Sequence, residues 1–257
     1  MPCDKHNEND APSLHDVTAL VLAGGLGTRL RGVLGERQKV IASVGERPFL
    51  AYILDKLEAA GVKRVILCAG YQADALQEEF GLGYGGMNIV LSRESRPLGT
   101  GGALRLALPH IRSDHALILN GDSYPTHDLR EFHEWHRARS SNASILLAHQ
   151  EDVSTYGAVG VGESGRVQSF IEKGIHGPGW VNAGVYMLST ERIASIPQGK
   201  KISIETDMFS LWSRDGLHAF KGEGDFLDIG TPERYRVAEA YLETHQELVK
   251  ESASHGH

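Results

Sequence analysis

The sequence predicts an α/β protein with one mostly parallel, mixed sheet and helices on both faces. Apolar runs alternate with helical patterns through the first half of the chain, and a glycine-rich turn follows the first apolar run, residues 17–22. Strands that alternate with helices pair in parallel, because each helix carries the chain back across the sheet. The pattern is therefore typical of a doubly covered, Rossmann-like sheet.

The remaining elements follow from the apolar periodicity and the turn residues. After the glycine-rich turn, a helix begins at Pro48, a favoured first-turn position, and ends at Gly61. The rest of the first half reads as strand 65–69, helix 73–80, strand 89–92, helix 100–108, strand 116–119 and helix 128–139.

The second half changes pattern. It predicts strands at 143–149 and 181–188, a hairpin of 158–161 with 167–172 between them, and a helix at 232–250. We expect this half to complete the same sheet and to build a lobe for a substrate.

Composition excludes several classes of protein. A formal charge of −7 argues against a nucleic-acid surface. No apolar run approaches the ~20 residues of a membrane span. Two cysteines provide no disulfide framework, so we expect a cytoplasmic protein. We expect one domain at 17–245, between a mobile extension at 1–16 and a mobile tail at 246–257; a monomer and a homodimer both stay open.

Thirteen histidines raise the question of a metal site. His133 and His136 lie three residues apart on the predicted helix 128–139, and His127 precedes it. Because a third ligand at recognisable spacing is missing, packing or solvent exposure is favoured over zinc.

The turn after the first strand has the composition of a phosphate-binding loop. It reads Leu22, Ala23, Gly24, Gly25, Leu26, Gly27, Thr28 and Arg29. Glycines let main-chain N–H groups close on a phosphate, and Arg29 adds a positive charge. The dinucleotide fingerprint would need a glycine at Leu30, and a Walker A loop would need Gly-Lys-Ser/Thr. A plain glycine turn is the open alternative.

Two aspartates stand where predicted strands end. Asp122 follows the strand 116–119, and Asp228 lies between apolar residues before a turn. A pair of carboxylates near a phosphate suits Mg²⁺, which shares oxygen ligands with substrate phosphates. Each aspartate alone can equally be a turn former or a helix cap. Spacing alone does not raise Lys39 or Lys173 above ordinary solvated lysines.

An ordered series of motifs resembles the sugar-1-phosphate nucleotidyltransferases. Across about residues 17–241 these are VLAGGLGTRL, Lys39, PLGTGGAL, LNGDS, YGAV, FIEKG, VNAGVYML and FLDIGTPE. Within that family the chain most resembles the D-glycero-D-manno-heptose 1-phosphate guanylyltransferases, and next the mannose-1-phosphate guanylyltransferases. The resemblance implies the nucleotide-diphospho-sugar transferase fold and a direct in-line attack of the sugar phosphate on an NTP.

The resemblance also implies roles for individual residues. Arg29 would bind the departing pyrophosphate, Lys39 the α-phosphate and Lys173 the sugar phosphate, while Asp122 and Asp228 would hold Mg²⁺. The nucleotide would contact Leu22, Ala23, Gly24, Gly25, Gly27, Thr28, Arg29, Glu94, Gly99, Thr100 and Gly121. The sugar would contact Tyr156, Gly157, Glu172, Asn182 and Glu205.

The residues around Lys39 depart from the usual pattern of the family that the chain resembles. Prolines usually flank the loop lysine, whereas Gln38 and Val40 flank Lys39 and Ser43 stands where another proline is usual.

A carboxylate at Glu94 would accept hydrogen bonds from the two adjacent N–H donors of guanine, which predicts GTP as the nucleotide. An exposed loop charge is the alternative interpretation of Glu94. A nucleotide-sugar sensor without turnover is the alternative from a different class, and a redox dinucleotide enzyme is a more distant one.

Overall fold

The centre of the fold is a mixed sheet. The computed structural model describes residues 13–25, 39–70, 73–171 and 173–254. The strands within these residues are β1 Thr18–Leu22, β2 Ser43–Val44, β3 Arg47–Pro48, β4 Arg64–Ala69, β5 Gly83–Tyr84, β6 Met87–Arg93, β7 His115–Asn120, β8 Ser123–Pro125, β9 Ala143–Gln150, β10 Ala158–Val161, β11 Val167–Ile171, β12 Gly179–Ser189, β13 Leu217–Lys221 and β14 Phe226–Asp228.

The helices alternate with the strands in the first half of the chain, as the sequence predicts. They are α1 Phe49–Ala59, α2 Ala73–Phe80, α3 Gly99–Ala107, α4 Leu129–Ala138, α5 Thr190–Ala194, α6 Phe209–Trp212 and α7 Pro232–Ser254. Short 3₁₀ turns occupy Lys39–Ile41, Leu108–His110 and Ser213–Asp215, and a π-helix occupies Ile204–Met208.

The topology confirms the predicted fold class. In the described residues the main sheet has eight strands in the order β13-β9-β12-β7-β1-β4-β6-β5. Strands β7, β1, β4 and β6 are parallel neighbours, whereas β12 runs antiparallel to β7 and β9. The carboxyl ends of the parallel strands therefore meet at one edge, where open α/β sheets bind ligands.

The structure confirms the predicted hairpin and places it outside the main sheet. Strands β10 and β11 pair with each other in a separate two-stranded sheet instead of extending the main one. A second small sheet joins β14 to β8, and β13 is a further strand of the main sheet that the sequence pattern did not indicate. Short strands carry too few residues for a clear alternation of polar and apolar side chains.

Two hydrophobic layers hold the sheet in place. Along β1, Ala19 and Val21 pack into one layer and Leu20 into the other, because successive side chains of a strand point to opposite faces. Helix α1 covers the first layer, and the fully buried Trp212 belongs to the second. Both faces of the sheet are thus buried, which explains why its strands read as continuous apolar runs in the sequence.

The ends of the domain differ from the boundaries that the sequence suggests. Leu14 is fully buried, and its N–H donates to the carbonyl oxygen of Ala60 at 3.1 Å. Leu14 therefore packs on the domain, within the segment 1–16 that the sequence predicts to be a mobile extension. Helix α7 continues to Ser254, four residues beyond the predicted end of the helix at 250. Residues 1–12 and 255–257 lie outside the described part of the chain.

The histidines of helix α4 are packing residues in the described structure. His136 is buried, its Nδ1 lies 2.8 Å from Ser144 Oγ, and its ring meets that of His115 edge-on. Among the described residues, no group of three or more His, Cys, Asp or Glu side chains could hold a metal ion.

Buried histidines should make the fold sensitive to acid. Burial lowers the pKa of His127 to about 4 and that of His136 to about 3, from an ordinary 6.5. The unfolded chain binds these protons below about pH 6.5 and the folded chain does not, so stability is full above that pH and falls below it. We expect the urea midpoint to be constant from pH 8 to 7 and to decrease from about pH 6.5 towards pH 4.

A substitution can show whether His136 contributes to this pH dependence of stability. The variant His136→Asn removes one buried titrating group, so its stability should fall less steeply with acid than that of the wild type. The variant His176→Asn changes an exposed imidazole and serves as the control. Equal slopes for His136→Asn and the wild type would contradict the assignment.

Candidate active site

The glycine turn and the first aspartate lie side by side at the carboxyl edge of the sheet. Ala23 N–H donates to Cys68 O at 2.8 Å, and Gly121 N–H donates to Leu22 O at 3.0 Å. A methyl group on Gly121 would lie only 2.7 Å from that oxygen, so this close approach requires glycine. The turn begins with Gly24 and Gly25. Its later residues, Gly27, Thr28 and Arg29, lie outside the described part of the chain.

Lys39 and Asp122 form an ion pair. Lys39 Nζ lies 2.7 Å from Asp122 Oδ2, and the lysine side chain is only 10% exposed while that of the aspartate is 42% exposed. Val40, the residue after the lysine, is buried and packs beside Gly121. The lysine is therefore held by its charge partner and by the packing of the next residue.

Asp228 lies next to Asp122 through a short strand pairing. Strand β14 runs antiparallel to β8 with Asp228 opposite Ser123, and Ile229 N–H donates to Asp122 O at 3.0 Å. The two aspartates, distant in sequence, thus lie side by side, with Asp228 at the end of β14 and Asp122 directly before β8. Carboxylate oxygens are the hard ligands that Mg²⁺ prefers, and two of them suffice when phosphates and waters complete the shell. The donor set fits such an ion.

Each of these carboxylates already has a cationic partner. Arg234, in the first turn of α7, donates through Nη1 to Asp228 Oδ2, and Gly230 N–H donates to Asp228 Oδ1. Arg234 is not among the site residues predicted from the sequence. Its available signal was a cation directly after the FLDIGTPE motif, six residues beyond the aspartate.

Glu94 lies beside the glycine turn. Its Oε2 accepts from Leu98 N–H at 2.8 Å, and a methyl group on Gly24 would lie 3.2 Å from its Oε1. The side chain is half-buried, and burial raises its pKa above the ordinary value. Glu94 is therefore not a freely solvated loop charge, and within the described part of the chain its Oε1 accepts no hydrogen bond.

The PLGTGG segment and the predicted sugar residue Glu205 are joined directly. Thr100 Oγ1 donates to Glu205 Oε2 at 2.7 Å and accepts from Ile204 N–H at 2.8 Å. Gly99 has φ +72°, and a methyl group there would lie 2.5 Å from Ile202 O. The glycine thus lets the start of α3 lie against the segment that carries Glu205.

Asn182 lies in an irregular part of β12. Its Oδ1 accepts from Gly184 N–H at 2.8 Å, and its Nδ2 donates to Tyr186 Oη at 3.0 Å. Asn120, at the end of β7, lies 3.4 Å from the same hydroxyl through its Nδ2. Burial raises the pKa of Tyr186 well above its ordinary value, so its hydroxyl stays protonated and fixes both amides. The sequence analysis did not identify Tyr186 or Asn120.

The remaining predicted sugar residues border Arg234. Its guanidinium lies 4.2 Å from the ring centre of Tyr156, which also packs edge-on against Phe226. Gly157 follows with φ +81°. Lys173 is exposed in the turn after β11, and Glu172 lies outside the described residues. The predicted residues that are described therefore lie on elements bordering one edge of the sheet, with Lys173 on a peripheral turn.

The comparison with family models decides the family. The model described as nucleotidyl transferase matches residues 18–245. The chain belongs to the nucleotidyl transferase family. The matched region includes the described residues of the site. Among the described helices of this nucleotidyl transferase, none has the length and apolar composition of a membrane span.

Curated and solved relatives refine the comparison. The chain is 35% identical over 226 residues to the D-glycero-alpha-D-manno-heptose 1-phosphate guanylyltransferase of Aneurinibacillus thermoaerophilus, covering 88% of this chain and 98% of that protein. It is 34% identical to the mannose-1-phosphate guanylyltransferase of Mycobacterium tuberculosis, covering 86% of this chain but 63% of that protein.

A crystal structure of HddC from Yersinia pseudotuberculosis superposes with a TM-score of 0.80 at 34% identity, covering 88% of this chain and 99% of that one. The crystal structure of the same protein complexed with GMP-PN superposes with a TM-score of 0.79 and the same coverage of both chains.

Proposed function

We propose that this nucleotidyl transferase transfers GMP from GTP to D-glycero-D-manno-heptose 1-phosphate, giving the GDP-sugar and pyrophosphate. The observation that carries the proposal is the meeting of Lys39, Asp122 and Asp228 beside the glycine turn. Two relatives named for this heptose reaction support it, from Aneurinibacillus thermoaerophilus at 35% and Campylobacter jejuni at 33% identity, each covered over nearly its whole length. The HddC complex with GMP-PN supports a guanine nucleotide.

The reaction needs positioning and charge neutralisation more than covalent chemistry. A sugar-phosphate oxygen attacks the α-phosphorus of GTP in line with the leaving pyrophosphate, without a covalent enzyme intermediate. Main-chain N–H groups of the glycine turn hold the phosphates, Arg29 binds the pyrophosphate, and Lys39 faces the α-phosphate. The exposed Lys173 receives the phosphate of the incoming sugar.

Asp122 and Asp228 are the residues that would hold Mg²⁺. When bound, the cation would neutralise charge on the reacting phosphates. The nucleotide side of the site comprises Gly24, Gly25, Thr100 and Gly121 with Glu94 on the base. The sugar side comprises Asn182, Glu205, Glu172, Gly157 and Tyr156. Two cysteines provide no disulfide framework, which supports a cytoplasmic enzyme, and its product would feed polysaccharide or glycoconjugate synthesis.

The choice of base depends on Glu94. Its Oε2 is engaged by Leu98 N–H, so Oε1 is the oxygen offered to the N–H donors of guanine. In the variant Glu94→Gln the charge-assisted hydrogen bond becomes a neutral one, and we expect the kcat/KM ratio of GTP over UTP to fall about tenfold. The variant Glu151→Gln, at a side chain that is 95% exposed, is the control. If the kcat/KM ratio of GTP over UTP is unchanged in Glu94→Gln, Glu94 does not select the base. The assignment of the phosphate-binding residues would still stand.

The sugar has one close competitor. Mannose 1-phosphate lacks one exocyclic carbon of the heptose, and the relative from Mycobacterium tuberculosis is named for it. Pyrophosphate release should be measured with four NTPs against heptose-, mannose- and glucose-1-phosphate in the presence of Mg²⁺. We expect the highest kcat/KM with GTP and the heptose. A preference for mannose would transfer the assignment to that sugar, and no turnover with any pair would favour a nucleotide-sugar sensor.

A further inference from the structure

Arg234 occupies a fixed place next to a predicted metal ligand. Its backbone lies in the first turn of α7, and three groups hold its guanidinium. Nη1 donates to Asp228 Oδ2, Nη2 donates to Thr155 Oγ1 at 2.8 Å, and the plane lies 4.2 Å from the ring centre of Tyr156. The side chains of Arg234 and Asp228 are only 24% and 22% exposed. This is a partly buried, specifically oriented ion pair and not a loose surface contact.

The contacts of Asp228 conflict with its role as a metal ligand. Its Oδ2 accepts from Arg234 and its Oδ1 accepts from Gly230 N–H, so both carboxylate oxygens have donors. A divalent cation can bind only by displacing one of these donors or by sharing an oxygen with it. The positive charge of the guanidinium also repels the cation.

We propose that Arg234 is the counter-cation of the metal-free site, which holds Asp228 in place and competes with the divalent cation for it. Arg234 thereby lowers the affinity of the enzyme for the cation alone. An NTP brings negative charge to the same edge of the sheet, so the cation binds favourably together with the nucleotide. Arg234 is a positioning residue, and this inference rests on the proposed function of Asp228 as a metal ligand.

The test measures metal binding without turnover. Mn²⁺ is titrated into the nucleotide-free full-length protein, and free Mn²⁺ is followed by electron paramagnetic resonance. We expect Arg234→Gln to bind Mn²⁺ about tenfold more tightly than the wild type, because a competing positive charge has been removed. The matched control is Arg236→Gln, which removes the same charge from an exposed side chain two residues along the same helix and should leave the affinity within about twofold.

A second measurement keeps the inference testable if the variant is less stable. Without metal, Arg234→Gln leaves Asp228 without its charge partner, so its melting temperature should be lower than that of the wild type. Saturating Mn²⁺ should then raise the melting temperature more in Arg234→Gln than in the wild type. Equal or weaker Mn²⁺ binding by Arg234→Gln would overturn the inference.

The variant Asp228→Asn separates this inference from the proposed function. If Asp228→Asn still binds Mn²⁺ as the wild type does, Asp228 is not a ligand, and both the metal assignment and the inference fail. If Asp228→Asn loses Mn²⁺ binding while Arg234→Gln does not gain it, the metal assignment stands and only the competition by Arg234 is wrong.

Discussion

Replacing Asp122 with asparagine is expected to lower kcat about a thousandfold while the protein stays folded. The substitution removes the negative charge that offsets both Lys39 and a divalent cation, and a loss of about 4 kcal/mol of transition-state stabilisation corresponds to that factor. Asparagine keeps an oxygen that can accept from Lys39 Nζ, now 2.7 Å from Asp122 Oδ2, so the local packing has no new void. Pyrophosphate release at saturating GTP, sugar phosphate and Mg²⁺ measures the effect.

The control for this prediction is Asp114, which lies at the opposite end of strand β7 from Asp122. Asp114 precedes β7 and is exposed, whereas Asp122 follows it. The variant Asp114→Asn removes the same charge far from the site and should turn over at the wild-type rate. The variant Asp228→Asn should resemble Asp122→Asn. Near-normal kcat in Asp122→Asn or Asp228→Asn would refute the assignment of that residue as a metal ligand.

Replacing Gly121 with alanine is expected to damage both stability and activity. The added methyl group would lie 2.7 Å from Leu22 O and 3.1 Å from Val40 Cγ1. Backbone atoms cannot move away easily in a packed sheet, so we expect a loss of about 2 to 3 kcal/mol in the free energy of unfolding. The strain would also shift Asp122 relative to the glycine turn, and a displacement of about 1 Å can cost about a hundredfold in rate.

Gly25→Ala distinguishes the fold from the site. No described atom lies within 4 Å of a methyl group built on Gly25, so its urea midpoint should equal that of the wild type. Its GTP affinity should still fall, because the methyl group narrows the approach of a phosphate to the main chain. A wild-type urea midpoint for Gly121→Ala would show that the edge of the sheet can relax, contrary to the prediction.

Local patterns predicted most of the fold because the elements are long and regular. The parallel strands are buried on both faces and read as apolar runs, and the helices show a 3.6-residue period. Strand β13 and the pairing of β14 with β8 could not be read this way, because pairing partners of short strands depend on contacts distant in sequence. The same holds for Leu14, whose burial depends on the shape of the surface at Ala60.

Side-chain chemistry predicted the candidate residues of the site but not their partners. The pattern indicated Asp122 and Asp228 as carboxylates near a phosphate, the resemblance added Lys39, and the structure brings all three to one edge. Arg234 was missed because an arginine on an amphipathic helix is usually solvated. Only its contact with Asp228 gives it a role.

By itself, the sequence determined the α/β class, the order of the main elements and the motif series that resembles the nucleotidyltransferases. These depend on periodicity and residue type, which are local properties of the chain. The tertiary structure alone decided that Lys39 pairs with Asp122 across 83 residues and Thr100 with Glu205 across 105. Such pairs form because packing of the sheet and helices brings distant segments together, and no local pattern encodes that distance.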